Sequence, residues 1–363
     1  AQPGSMEMLM PRSRFRPRFP ALALGVTLVL GFASAAAVAQ TGVAQIEADG
    51  MPLRLVYPTA AAARPMASGP FNLSVAPAAP PLPGTRRVVL MSHGTGGNPL
   101  AEHALAARLA AAGFVVAQLL HRGDNNADVT AAGPESWPHR PREASAALDA
   151  LAAHPDWGPR LRLDRVGVHG TSAGAITAMT LVGAEWSLRD LIRHCLAAGE
   201  ADLGFCYNGL PDEAARAARR ARFESARNVP DFMLGRENNA RHGGRDPRIV
   251  VVAVSTPVGA IFRADSLAQV AVPVGVVRAE ADRLTPNAFH ADRILRHCGA
   301  CKPLAVMAGA GHMDAMSPWP SSVAKAVAER HPVGGRPEPG FDPAERAAAQ
   351  AAIVQHFVRH LAP

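Results

Sequence analysis

The chain has 363 residues, of which 48% are hydrophobic and 18% are charged, and its formal net charge is +7. This composition is ordinary for a packed globular protein and excludes the disordered and collagen-like classes. A chain of this length buries a substantial core within a single domain.

The first 39 residues differ from the rest of the chain. Residues 1–5 precede Met6 as an N-terminal extension, and four arginines then lead into the apolar run Ala21–Ala33, which small residues follow up to Ala39. This order is typical of a secretory signal peptide, and the run is short for a membrane span. We therefore predict that residues 1–39 are removed on export to the periplasm or medium of a bacterium, leaving residues 40–363 without a membrane span. An uncleaved anchor is the alternative.

Part of the positive charge belongs to that leader. Without residues 1–39, 33 basic and 29 acidic residues remain, and the formal charge falls to +4. The arginines of Arg216–Arg222 lie among alanines at helical spacing, which favours a solvated helix face. We expect no nucleic-acid partner.

Four cysteines in an exported chain favour disulfides over free thiols. Cys195 can close a short loop with Cys206, and Cys298 can close another with Cys301. The second pair has the spacing of a redox motif, but it follows a helix-like segment instead of opening one, so a local disulfide is favoured. The cysteine spacing does not match a zinc site, and we predict no metal.

Two strand patterns begin the predicted mature chain. Val43–Ile46 and Met51–Tyr57 flank Asp49-Gly50, a dipeptide typical of hairpin turns, so we predict an antiparallel pair. Residues 60–83 contain six prolines. We predict that this segment is a loop, because proline supplies no ladder hydrogen bond in a central strand.

From Arg87 onward, short apolar runs alternate with alanine-rich helical segments, which indicates βαβ units around a parallel sheet. The predicted strands are Val88–Met91, Phe114–Leu119, Arg165–His169, Ile249–Val254, Val274–Arg278 and Pro303–Met307. The predicted helices are Leu100–Ala112, Arg142–Ala153, Ser172–Val182, Pro286–His297 and Pro343–Leu361. Right-handed crossovers give an α/β fold: a mostly parallel, doubly wound sheet with helices on both faces.

Residues 184–247 interrupt this alternation with a segment rich in Arg, Ala and Asn that has no strand pattern. An insertion at this point would lie above the carboxyl ends of the strands, where ligands bind in open α/β sheets. We predict a helical insertion that forms a partial lid. A peripheral decoration with no role in access is the alternative.

The clearest functional pattern is Gly170–Gly174, a Gly-x-Ser-x-Gly sequence between an apolar strand and an alanine-rich helix. Gly170 and Gly174 let the backbone turn sharply, so that the Ser172 hydroxyl is projected and amides of the helix start face the reaction centre. In this strand-turn-helix context we predict that Ser172 is a nucleophile.

A serine nucleophile needs a base and a carboxylate that orients the base. His312 follows the last predicted strand on a glycine-rich loop, and Asp282 follows the strand before it. The order Ser, Asp, His along the chain is that of the α/β-hydrolase fold. We predict His312 as the base, and Asp282 as the acid, over the rival histidines His93, His121 and His169 and the rival carboxylates Glu280 and Asp314.

The glycine-rich loop His93–Gly97 follows the first parallel strand, and its glycines allow close approach of a substrate. No Lys-Ser or Lys-Thr follows, which excludes a phosphate-binding loop of that type. Acyl transfer needs donors for the oxyanion of the tetrahedral intermediate. We predict the amides of Thr95 and Ala173 as these donors, and His93, Gly94 and Trp319 as substrate contacts.

Five segments together resemble the bacterial group called predicted dienelactone hydrolases, which is related to platelet-activating-factor acetylhydrolases and bacterial polyester hydrolases. They are Ser92–Gly97, His121–Asn125, Gly170–Gly174, Val272–Val274 leading to Asp282, and Gly311-His312. The resemblance covers residues 86–318. It implies hydrolysis of a small-molecule or polymeric carboxylic ester through an acyl-enzyme, without a metal or organic cofactor.

Two departures from that group narrow the expectation. Dienelactone hydrolases have cysteine where this chain has Ser172, so dienelactone activity does not carry over. Acetylhydrolases of the platelet-activating-factor type place the acid after the preceding strand, but here Ile249–Val254 leads into Ser255-Thr256-Pro257, which favours Asp282 and disfavours their lipid substrate. We predict a serine esterase. An amidase or peptidase with the same residues, and a binding protein that has lost turnover, are the alternatives.

Overall fold

The computed structural model describes residues 40–48, 50–208, 212–227, 229, 241–331 and 333–362. The predicted N-terminal extension and signal peptide, residues 1–39, lie outside the described residues, and so does part of the predicted insertion 184–247. Among the helices of the described ranges, none is both long enough and apolar enough to cross a membrane.

Ten strands form the central sheet: β1 (Gln40–Ala48), β2 (Met51–Thr59), β3 (Arg64–Ser68), β4 (Phe71–Pro77), β5 (Arg86–Ser92), β6 (Val115–Leu119), β7 (Leu161–Thr171), β8 (Ile249–Ser255), β9 (Val274–Ala279) and β10 (Cys301–Met307). Their order across the sheet is β10-β9-β8-β7-β5-β6-β2-β1-β4-β3. Strands β5 to β10 are mutually parallel, and β2 pairs antiparallel with β6 and with β1. The predicted mostly parallel sheet and N-terminal antiparallel pair are confirmed.

The prediction of a loop over residues 60–83 was wrong. Strands β3 and β4 form an antiparallel hairpin there, and β4 also pairs with β1. Phe71, Leu73 and Val75 alternate into the core with the period of two that marks a half-buried strand. The prolines did not exclude strands, because Pro65 lies on the edge strand β3 and Pro77 ends β4, where a missing ladder donor is tolerated.

Ten α-helices connect and cover the strands: α1 (His103–Ala111), α2 (Arg140–Ala153), α3 (Gly174–Thr180), α4 (Leu188–Ala198), α5 (Leu203–Tyr207), α6 (Glu213–Arg227), α7 (Ala264–Ala268), α8 (Ala291–His297), α9 (Ser321–Arg330) and α10 (Pro343–Leu361), counted over the described part of the chain. All five predicted helices are present, and α10 has the predicted bounds. The predicted first turn of α1 is a separate 3₁₀ helix, Pro99–Glu102, capped by the Asn98 side chain.

Successive residues of the central strand β5 belong to the two faces of the sheet. Val88 and Leu90 pack into one hydrophobic cluster with residues of α2 and α3. Val89 and Met91 pack into a second cluster with residues of α1 and α10. The sheet therefore has helices on both faces, as the alternating pattern predicted.

The described parts of the insertion, residues 184–247, contain the helices α4, α5 and α6. They contain no strand. The disulfide Cys195–Cys206 joins α4 to α5, and the disulfide Cys298–Cys301 follows α8, so both predicted pairings are confirmed. The backbone of α5 approaches the loop after β9 so closely that a Cβ at Gly204 would lie 2.1 Å from the Arg283 carbonyl oxygen. The disulfides are compatible with an exported protein.

Candidate active site

The residues with predicted chemical roles meet at one edge of the sheet. Because β5 to β10 are parallel, their carboxyl ends lie at the same edge. The loop His93–Gly97 follows β5, Ser172 follows β7, Asp282 follows β9 and His312 follows β10. The chain passes from β5 outward to β6 and then returns to β7 on the other side of β5. This reversal is the topological switch point at which open α/β sheets bind ligands.

Ser172 occupies a strained turn between β7 and α3. Its φ of 56° is in the left-handed region, which costs a residue with a side chain on the order of 1–2 kcal/mol. A Cβ at Gly170 would lie 2.2 Å from the Gly174 carbonyl oxygen, and a Cβ at Gly174 would lie 1.9 Å from the Ser92 carbonyl oxygen. Both glycines of the motif are therefore required by space, as expected for a turn that projects a nucleophile.

Asp282 and His312 form a buried hydrogen-bonded pair. His312 Nδ1 lies 2.8 Å from Asp282 Oδ2, and the two side chains are 3% and 1% exposed. Three further donors reach the carboxylate: the Leu284 and Thr285 amides at 2.9 and 2.8 Å from Oδ1, and the Thr285 hydroxyl at 2.8 Å from Oδ2. This arrangement directs the proton of His312 to Nδ1 and leaves Nε2 as the basic nitrogen.

The charge state of Asp282 follows from these contacts. Burial opposes ionisation and by itself raises the pKa of Asp282. The charge of His312 and the hydrogen bonds from His312 and Thr285 outweigh burial, so the net pKa of Asp282 is below its ordinary value. The carboxylate is therefore ionised at neutral pH and able to stabilise a protonated His312.

The two rival carboxylates have other partners. Glu280 is 40% exposed and lies 3.2 Å from Arg278. Asp314 accepts hydrogen bonds from the backbone amides of Gly311 and Glu338. Within the described residues, neither is hydrogen-bonded to His312, whereas Asp282 is.

The segment Ser255–Val258, which follows β8, contacts both the turn at Ser172 and Thr285, the residue beside the His312–Asp282 pair. The Ser172 amide donates to the Ser255 carbonyl at 3.1 Å, and the Val258 amide donates to the Ser172 carbonyl at 3.3 Å. The Thr285 hydroxyl lies 3.4 Å from the Thr256 carbonyl and 3.1 Å from His312 Nδ1. Among the described residues, the Ser172 hydroxyl makes no hydrogen bond to His312.

The loop after β5 lies directly against the serine. A Cβ at Gly94 would lie 3.2 Å from Ser172 Cβ. Within the described residues, the amides of Thr95 and Ala173 donate to no protein acceptor. These two amides, one next to Gly94 and one next to Ser172 in the chain, are therefore available as donors to a ligand, as an oxyanion site requires.

The other predicted residues have different surroundings. Both ring nitrogens of the buried His93 are occupied, because Nδ1 donates to the Gly94 carbonyl at 2.7 Å and Nε2 accepts from the His121 amide at 3.3 Å. Burial, followed by the charges of His121 and Arg140, holds the pKa of His93 well below its usual range. Trp319 is partly buried and packs against the cluster that contains α1 and α10. A substrate contact of either ring stays a prediction.

The rival histidines have carboxylate partners of their own. His121 Nδ1 lies 2.6 Å from Glu143, and His169 Nε2 lies 2.9 Å from Glu102. Each ring is fully buried, and burial is the first cause of the strongly lowered pKa of His121. These contacts give His121 and His169 structural roles beside the site.

In the described chain, one group of side chains has the spacing of metal ligands. The group with suitable ligand spacing is His194, Asp202 and Cys206. Cys206 is bonded to Cys195 and offers no thiolate, and Asp202 Oδ2 already accepts from His194 at 2.7 Å and from His290 at 2.9 Å. These side chains therefore form a hydrogen-bonded cluster around Asp202 and leave no set of free metal ligands.

Sequence reasoning missed four residues that shape this edge. Thr285 donates to Asp282, Arg140 and Asp124 hold the loop after β5, and Val129 places an apolar side chain, 61% exposed, next to Gly96. The sequence singles out Asp124 only as part of the run His121–Asn125. Its separation from Arg140 along the chain does not predict their ion pair, because that contact depends on the fold.

Comparison with known proteins adds no family to these observations. No family model matches the chain, and a search of the curated proteins finds no match. Any assignment of activity therefore depends on the geometry at the carboxyl edge of the sheet, where a strained serine turn, a buried histidine–aspartate pair and two free amides lie together.

Proposed function

We propose that this protein is a serine hydrolase of the α/β-hydrolase fold that cleaves carboxylic esters. The observation that carries the proposal is the buried His312–Asp282 hydrogen bond at the same sheet edge as the strained Ser172 turn. The sheet order, the switch point between β5 and β7, and the order Ser, Asp, His along the chain support the assignment to this fold.

In the proposed reaction, the Ser172 oxygen attacks the ester carbonyl carbon while His312 Nε2 takes the hydroxyl proton. Asp282 stabilises the resulting imidazolium through Nδ1–H. The carbonyl oxygen becomes an oxyanion that the Thr95 and Ala173 amides bind. Collapse of this intermediate breaks the bond to the alcohol oxygen, which takes the proton from His312. Water then attacks the acyl-enzyme by the same steps and releases the acid.

The loop His93–Gly97 lies next to an exposed apolar side chain, which supports a substrate with an apolar group. Val129 is one of three large hydrophobic side chains that are exposed in the described chain, and its Cγ1 would lie 3.8 Å from a Cβ at Gly96. In the proposed reaction this exposed apolar side chain would contact the acyl or alcohol part of the ester. We propose that the insertion, whose α5 packs against the loop carrying Asp282, acts as a partial lid.

The test is hydrolysis of p-nitrophenyl acetate, butyrate and decanoate by wild type, Ser172→Ala and Ser145→Ala. Ser145 is the control, because its hydroxyl bonds Asp246 and, in the described chain, makes no hydrogen bond to Ser172, Asp282 or His312. We expect Ser172→Ala to lose about a thousandfold or more in kcat and Ser145→Ala to keep wild-type rates. A fluorophosphonate should label wild type and Ser145→Ala at residue 172.

Two results would count against the proposal. If folded wild type hydrolyses these esters no faster than Ser172→Ala and takes up no label, the serine is not a nucleophile and the binding-protein alternative gains support. If labelling at Ser172 is efficient but only amides are cleaved, the nucleophile stands and the ester assignment fails.

A further inference from the structure

The loop His93–Gly97 is held from behind by a buried arginine. Arg140, the first residue of α2, donates from Nη1 to the His93 carbonyl at 2.7 Å and from Nη2 towards the Gly94 carbonyl at 3.4 Å. Its Nη2 also lies 2.6 Å from Asp124 Oδ2. The side chains of Arg140 and Asp124 are 1% and 0% exposed. A buried ion pair is costly unless its geometry is good and its remaining polar atoms are satisfied.

Asp124 completes the support of the loop. Its Oδ1 accepts from the Gly96 amide at 2.7 Å, and its Oδ2 also accepts from the Ser136 hydroxyl. Arg140 thus binds two carbonyls of the loop and Asp124 binds one amide. Together the two side chains fix three consecutive peptide groups of the loop, those between residues 93 and 96.

Peptide geometry links this support to the predicted oxyanion site. The Gly94 carbonyl and the Thr95 amide belong to one planar trans peptide, so they point in opposite directions. The Gly94 oxygen accepts from His93 Nδ1 at 2.7 Å and from the Gly97 amide at 3.1 Å, in addition to its contact with Arg140. Holding this oxygen therefore holds the Thr95 N–H on the opposite side of the peptide, with no protein acceptor in the described chain.

A second polar contact from the same helix braces the start of the loop. Glu143 lies one turn after Arg140 on α2, and its Oε2 is 2.6 Å from His121 Nδ1. His121 Nε2 is 2.8 Å from the Ser92 hydroxyl, at the residue where β5 ends. Ser92 is fully buried, which excludes it as a nucleophile for an external substrate. This series of contacts fixes the strand end from which the loop begins.

We propose that Arg140 and Asp124 are positioning residues that preorganise the loop His93–Gly97 as an oxyanion site. The inference rests on the proposed function, because it assigns a role within that reaction. Preorganised donors stabilise charge that develops in the transition state more than they stabilise the bound ester. Loss of the pair therefore lowers kcat and leaves KM nearly unchanged.

The first test variant is Arg140→Lys, which keeps the charge but cannot reach two carbonyls and a carboxylate with a planar fork of donors. Loss of a whole oxyanion donor costs about 100- to 1000-fold in kcat, so a misaligned donor is expected to cost on the order of 10- to 100-fold. KM for p-nitrophenyl butyrate should stay within about threefold. The inhibition constant of butylboronic acid, whose serine adduct is tetrahedral, should rise by a factor similar to the loss in kcat.

Arg248→Lys is the matched control. Arg248 Nη2 lies 2.7 Å from Asp246, and in the described chain Arg248 makes no hydrogen bond to the loop His93–Gly97. This substitution also disturbs an ion pair, so it is expected to lower the melting temperature while kcat and the boronate inhibition constant stay at wild-type values. A purely structural role of Arg140 would give the same pattern as this control.

The double variant Arg140→Met with Asp124→Leu guards against misfolding, since apolar replacement of a whole buried pair is often tolerated. It should fold, as judged by near-ultraviolet circular dichroism, and show the same selective loss of kcat and boronate affinity. Wild-type kcat and boronate affinity in either folded variant would overturn the positioning role. Absence of Ser172-dependent hydrolysis in wild type would instead overturn the proposed function.

Discussion

Replacing Asp282 by asparagine changes a carboxylate that receives four donors in the structure. The oxygen of the new amide can still accept from the backbone amides of Leu284 and Thr285, which leaves its NH₂ group facing His312. A donor opposite Nδ1 favours the tautomer with the proton on Nε2, and His312 then cannot accept the proton of Ser172. We expect Asp282→Asn to lower kcat by about 10⁴-fold, which corresponds to about 5 kcal/mol of activation free energy.

The assay is p-nitrophenyl butyrate hydrolysis at pH 7.5, with Glu280→Gln and Asp314→Asn as matched controls. Glu280 pairs with Arg278, and Asp314 binds two backbone amides, so each control removes a nearby carboxylate that does not contact His312. Both controls should keep kcat within about threefold of wild type. If Asp282→Asn is folded and loses less than tenfold while a control loses more, the assignment of the orienting acid is wrong.

Two further predictions concern neighbouring polar groups. Thr285→Val removes the hydroxyl that lies 2.8 Å from Asp282, and we expect a loss of about tenfold in kcat, measured on the same ester, because a hydrogen bond to a charged group contributes about 1.5–3 kcal/mol. An unchanged kcat would show that the hydroxyl does not support the acid. Burial raises the pKa of Asp202, but bonds from His194 and His290 outweigh it and leave a net lowered pKa. This ionised group contributes stability above its unfolded pKa of about 4, and that stability is lost as pH falls through the folded pKa. The difference in melting temperature between wild type and Asp202→Asn should therefore be present at pH 6 and shrink as the pH falls below about 4, and a difference that does not change with pH would contradict this role.

Local patterns were sufficient to predict most of the sheet and the position of the serine turn. The strands β5 to β10 are short apolar runs, and in a sheet covered on both faces such runs need no alternation to be recognised. The turn at Ser172 was predictable because the two flanking glycines, the preceding strand and the following helix all lie within one short segment. The antiparallel pair β1 and β2 was predictable from its turn dipeptide for the same reason.

Features that depend on distant partners were not predictable. Strands β3 and β4 were missed because their prolines outweighed the alternation of Phe71, Leu73 and Val75, and the edge position that tolerates Pro65 is known only from the fold. Arg140 lies 47 residues from His93, whose carbonyl it binds. Nothing in the sequence connects these residues, because loop closure over such a distance is decided by the packing of α2 on the sheet.

The carboxyl edge of the sheet concentrates features that reduce stability. Ser172 and Thr256, which follow the adjacent strands β7 and β8, have φ values of 56° and 39°. Beside them lies a buried ion pair, Arg140 with Asp124. A strained residue costs about 1–3 kcal/mol of folding free energy, and a buried ion pair also carries a desolvation cost. The net stability of a domain is only about 5–15 kcal/mol, so such features persist only where surrounding contacts hold them. Strain and buried ions at one edge of the sheet do not help folding, and the proposed reaction at Ser172 would account for their common position.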